Sequence, residues 1–126
     1  MLTGSCLCRA VTFEMPGPLA PATACHCSQC RKQSGHFWAS TDVRKADLKL
    51  DGEANVRWFQ SSPKVRRGFC ATCGAALFWD AIGKDTIAVS MGSIDAPTDA
   101  RLALHIFTAF KGDYYELGDG VPRNER

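Results

Sequence analysis

The residues of this chain with most capacity for chemistry are seven cysteines in three clusters: Cys6-x-Cys8, Cys25-x-Cys27-x-x-Cys30 and Cys70-x-x-Cys73. Thiolates are soft ligands, Zn²⁺ takes four ligands in a tetrahedron, and a C-x-x-C loop lets two sulfurs reach one ion. Cys70-Ala-Thr-Cys73-Gly74 has the form of a zinc knuckle, its glycine letting backbone amides turn towards the sulfurs. Cys6 and Cys8 can supply the other two ligands, since alternate residues of an extended strand point the same way. Cys6, Cys8, Cys70 and Cys73 would then close a structural zinc site joining the N-terminus to the middle of the chain. Burial as small apolar side chains is the alternative reading of these four.

Cys25, Cys27 and Cys30 can close around one face of a second zinc and leave its fourth position open. Three protein ligands plus an exchangeable one is the pattern of a catalytic zinc. An open site of this kind can lower the pKa of a substrate thiol or polarise a carbonyl. Arg31 and Lys32 stand next in the chain and could offset the thiolate charge and attract an anionic thiol. The competing reading has His26, His36, His105 or an acidic residue completing a second structural site. Iron in a four-cysteine site is a further alternative, separable by colour because Zn²⁺ is d¹⁰.

A chain of 126 residues suits one domain over residues 1–126, and 45% hydrophobic with 22% charged residues suits a folded one. Strand candidates with turn punctuation dominate: residues 1–14, 37–41, 48–50, 56–60, 76–79 and 86–91, then a pair over 105–110 and 114–117. One short helical turn is expected after Cys27, capped by Ser28 and stopped by Gly35. Together these give a single, mostly antiparallel β domain carrying a compact metal-bearing knuckle. No stretch reaches the ~20 apolar residues of a membrane span, and no secretory signal is visible, so a cytoplasmic location is expected. Reducing conditions there, and an odd cysteine count, favour metal binding over disulfides. The net charge of +2 is too small to predict a nucleic-acid partner. The basic groups at 31–32, 44–45 and 64–67 read as solvated surface.

The segments GSCLCRAVTFE (4–14), CHCSQCRKQSG (25–35), SSPKVRRGFCATCGAAL (61–77), VSMGSIDAP (89–97) and HIFTAFKGDYYELGDGVP (105–122) span most of the chain. Together they resemble the glutathione-dependent formaldehyde-activating enzymes and centromere-protein-V-like domains. The resemblance implies a β-tent fold of small antiparallel sheets with little helix. It implies two Zn²⁺ per chain, one on Cys6, Cys8, Cys70 and Cys73, the other on Cys25, Cys27 and Cys30. The implied activity is that of a carbon–sulfur lyase making or breaking S-hydroxymethylglutathione. The partner would be a small-molecule thiol or thiol–aldehyde adduct such as glutathione's, with monomer and homodimer both open. The centromere-protein branch implies a rival: a non-catalytic zinc module contacting nucleic acid or protein.

Strand alternation through residues 105, 107, 109 and 111 would place His105 and Lys111 at the same pocket, His105 as proton shuttle or as a hydrogen-bonded structural group. His26, between two ligands, is expected to point away from the metal, to solvent or a supporting acceptor. Trp38, Trp58, Phe59, Phe69 and Trp79 are expected in the core.

Overall fold

Short alternating runs broken by turn residues become ten strands and one short helix in the computed structural model, which describes residues 1–126. Strands β1 (Leu2–Ser5) and β2 (Thr12–Met15) form a hairpin, extended by β5 (Lys49–Asp51) into a small antiparallel sheet ordered β1-β2-β5. The larger sheet has seven strands: β3 (Ala22–Cys25), β4 (Trp38–Arg44), β6 (Val56–Ser62), β7 (Val65–Cys70), β8 (Ala76–Ala81), β9 (Thr86–Ser90) and β10 (Leu102–Ile106). Their order is β10-β3-β4-β9-β8-β7-β6, antiparallel throughout except for the parallel pair β3–β10. The fold is therefore mainly β, as expected.

Alternation gives the large sheet two chemically different faces. On one, Thr41, Val89 and Phe78 stand in a row of paired residues and are buried. Val89 and Phe78 pack against Phe13 and Met15 of the small sheet, with Phe13 and Phe78 edge-to-face at 6.0 Å between centroids. Each such buried side chain contributes roughly 1.5–3 kcal/mol. The other face carries Cys25 opposite Trp38, and a row running Asp42, Ala88, Trp79, Arg67, Phe59 across five strands. Helix α1 (Ser28–Ser34) lies over this second face, its Cys30 packed against Trp38 and Ala88.

Several expectations change. Cys6 and Cys8 lie not on a strand but in the turn after β1, because the hairpin pairing ends at Ser5–Thr12. A hydrogen bond from Cys6 N–H to the Val11 carbonyl closes that turn. The turn is braced from outside by Gly52, whose φ is +80° and where a Cβ would stand 2.0 Å from the Ala10 carbonyl oxygen. Only glycine fits there. The cap of α1 is Cys27 rather than Ser28, its Sγ accepting the Cys30 N–H at 3.3 Å, while Gly35 ends the helix as expected. The last strand runs Leu102–Ile106, because Phe107 is left-handed at φ +54° and breaks the extension. No strand forms over 114–117, so His105 and Lys111 share no strand.

Candidate metal centres

The sulfurs of Cys6, Cys8, Cys70 and Cys73 all lie within 4.8 Å of one another. Cys8 Sγ is 3.7 Å from both Cys6 Sγ and Cys70 Sγ. Four sulfurs about 2.3 Å from a tetrahedral ion would be about 3.8 Å apart, so the spacing fits a metal of zinc's size. The outer layer is also that of a thiolate site. Val11 N–H donates to Cys6 Sγ at 3.4 Å, Cys73 N–H to Cys70 Sγ at 3.5 Å, and the Asn55 amide to Cys70 Sγ at 3.3 Å. Backbone hydrogen bonds, first at Cys8 and then at Ala75, bring the Cys73 thiol down to about 6. Gly74, at φ +79°, makes the turn that allows this, as its place after Cys73 suggested.

Cys25, Cys27 and Cys30 form the second cluster, also within 4.8 Å, with no histidine or carboxylate among them. Cys25 ends β3, Cys27 caps α1, and Cys30 lies in the helix's first turn, so a strand end and a helix start together fix the three sulfurs. All three line a cavity of about 640 Å³ on the second face of the large sheet. Trp38 lines it too, and its buried indole N–H has no partner in the chain. One cluster is thus closed by four thiols, and the other offers three to a cavity.

The cation beside the second cluster is Arg67, only 5% exposed. Its guanidinium donates to Cys30 Sγ at 3.4 Å, and also to Gln33 Oε1, Gln29 Oε1 and Ser61 Oγ. Hydrogen bonding from Cys25 foremost, with Arg67's hydrogen bond and charge, brings the Cys30 thiol down to about 6. The same bond to Cys30, with burial, pushes Cys25 up. Arg31 and Lys32, expected in this role, stand elsewhere: Arg31 donates to the Phe110 carbonyl and Lys32 lines a neighbouring groove. The available signal was the Arg66-Arg67 pair, since neighbours on a strand face opposite ways. Arg66 turns to the other face, stacking over Trp58 and pairing with the Asp80 carboxylate that also holds Lys45.

The histidines back the site rather than line it. Leu104 and Ile106 face the cavity, and His105 between them turns to the opposite face, fully buried. His26 is equally buried, not in solvent, because it alternates with Cys25 and Cys27. The hydrogen-bond network assigns one consistent set of tautomers. Tyr115 O–H donates to His26 Nδ1 at 2.7 Å, His26 Nε2–H to His105 Nδ1 at 2.9 Å, and His105 Nε2–H to Asp119 Oδ2 at 2.8 Å. Burial foremost lowers His26 to about 4, so it is neutral here. His105's hydrogen bond holds the Asp119 carboxyl below its usual range. This chain fastens the 25–27 loop to the C-terminal segment. Of the expected core aromatics, Trp38 and Trp79 line the cavity, Trp58 and Phe69 a groove beside it, and Phe59 is 61% exposed.

Residues 1–110 match the family model described as glutathione-dependent formaldehyde-activating enzyme. The chain belongs to this family. An uncharacterized lyase of Schizosaccharomyces pombe is 31% identical to it over 77 residues, 60% of this chain and 55% of that protein. The chain therefore spans about half the length of that curated relative. A crystal structure of a Rhodobacter sphaeroides protein superposes with a TM-score of 0.63 at 25% identity, over 80% of this chain and 99% of that one. At the level of the formaldehyde-activating enzyme family, membership and a relative named as a lyase support lyase chemistry. No helix is long and apolar enough to cross a membrane.

Proposed function

We propose that this protein is a zinc-dependent carbon–sulfur lyase of the cytoplasm. It acts on a thiol–aldehyde adduct such as S-hydroxymethylglutathione, as one domain over residues 1–126. The observation that carries this reading is the contrast between a closed four-cysteine cluster and a three-cysteine cluster facing a cavity. Zinc bound at Cys25, Cys27 and Cys30 would supply Lewis acidity and lower the pKa of a thiol at its open position. The chain's own residues prepare the surroundings. Arg67 offsets the charge of three thiolates and holds Cys30 through one hydrogen bond. Trp38 and Trp79 give the cavity an apolar wall beside the three cysteines. His105 acts in this scheme through His26 on the loop bearing Cys25 and Cys27.

The experiment is exchange NMR of aldehyde with glutathione, with and without purified zinc-loaded protein. A faster exchange that depends on protein supports the reading, and no acceleration sinks it. The rival reading, a zinc module contacting nucleic acid, draws less support: Arg67 is buried, and Arg66 and Lys45 share Asp80.

Arg67→Gln is expected to weaken zinc at the three-cysteine cluster by about 10–100-fold, the usual effect of removing a ligand's supporting partner. Competition with a chromophoric chelator measures this, and the four-cysteine site should keep its metal. Unchanged affinity at both sites would remove Arg67 from the account.

A further inference from the structure

Two depressions share Gln29 and Arg67 beside the three-cysteine cluster, and their linings otherwise differ in chemistry. The cavity that takes in Cys25, Cys27 and Cys30 is walled by Trp38, Val65, Trp79, Leu104, Ile106 and Phe107. Its one carboxylate is Asp42, and its one cation, Arg67, is already engaged by Cys30. Phe107 stands at this wall in a left-handed conformation, φ +54°, and is 37% exposed. A large side chain held that way is uncommon. Beyond a ridge made by Gln29 and Arg67, which line both depressions, a groove of about 750 Å³ carries Lys32 and Arg57 beside Phe59 and Phe69. That groove is lined by cations and by no acid.

The geometry points to a carbonyl partner larger than formaldehyde: an aldehyde bearing an apolar chain or ring of several carbons, seated in the cavity. The thiol's anionic body lies across the ridge at Lys32 and Arg57. The inference rests on the thiol-adduct reading and narrows it. A one-carbon aldehyde is hardly bigger than water, whose share of liquid volume is about 30 Å³. A cavity of about 640 Å³ walled by indoles and branched aliphatics is far more than it needs. The step itself is an addition without redox change. The thiol sulfur bonds to the carbonyl carbon, the C=O π pair moves to oxygen, and the proton lost by the thiol ends on that oxygen. The lyase direction reverses each of these.

Calorimetry of the zinc-loaded protein with S-methyl-, S-butyl- and S-hexylglutathione tests it, since the alkyl group stands in for the aldehyde's carbons. Full burial tightens binding about fourfold per methylene, so a gain of at least about tenfold is expected from methyl to hexyl. Leu104→Gln should flatten that gain while leaving S-methylglutathione bound. Arg57→Ala should weaken the whole series alike. Equal affinity along the series, or a gain that Leu104→Gln does not touch, overturns the inference and spares the thiol-adduct reading. Binding by none of the three overturns the inference, and the aldehyde–glutathione exchange experiment decides the thiol-adduct reading separately.

Discussion

Replacing Cys73 by alanine is expected to cost the chain its fold. Cys73 and Cys70 tie the β7–β8 corner to the turn between β1 and β2 through Cys6 and Cys8, more than sixty residues away in sequence. A structural zinc in a small domain is worth about 10–16 kcal/mol of binding at neutral pH, against a total stability of about 5–15 kcal/mol. Losing one of four thiolates removes a large part of that. It also strands buried Cys6 and Cys70, whose sulfurs accept hydrogen bonds from Val11 and Asn55. Loss of the near-UV circular dichroism signal and of a cooperative melt is the expected result, and chelation of the wild type should do the same. A variant melting within a few degrees of wild type would show that the cluster does not hold the structure.

Cys27→Ser should do the opposite: keep the fold and abolish turnover. Serine is a good N-cap, so it replaces the sulfur that accepts the Cys30 N–H at the start of α1. The helix and the face it covers should therefore survive. Its hydroxyl is a poor substitute for a thiolate at zinc, which leaves Cys25 and Cys30 as the cluster's remaining thiols. A fall of at least about a thousandfold in thiol-dependent exchange is expected, with a melting temperature near wild type. Cys27→Ala should be equally inactive but less stable by about 1 kcal/mol for the lost cap, or about 3–6 °C. Full activity in Cys27→Ser would mean that chemistry happens elsewhere. Joint loss of fold and activity would make the second cluster structural.

The two cysteine clusters were legible because ligand type and spacing carry the chemistry whatever the backbone does. The grouping of Cys6 and Cys8 with Cys70 and Cys73 held although its premise did not: a tight turn aims both sulfurs at the knuckle where a strand was expected. Gly35 and Gly74 were readable because each takes the left-handed conformation that its place after a helix or knuckle demands. Strand β7 was not, since VRRGFC puts an arginine on each face and hides the period of two. The partner of Arg67 is a helix thirty-odd residues away in sequence, and pairings that distant leave no local mark. The parallel β3–β10 pair escaped for the same reason, and with it the placement of His105 behind the site. His26 points away from the cluster to a supporting acceptor, as one of its two expected placements had it, but its partners Tyr115 and His105 depend on what later folds over the loop.

Metal analysis of protein purified reduced and without chelator, wild type beside Cys27→Ser, tests the central contrast between a closed and an open centre most directly. Two zincs per wild-type chain and one per folded Cys27→Ser chain are the predicted result. One zinc in both proteins, even after zinc is added back, would contradict the second centre.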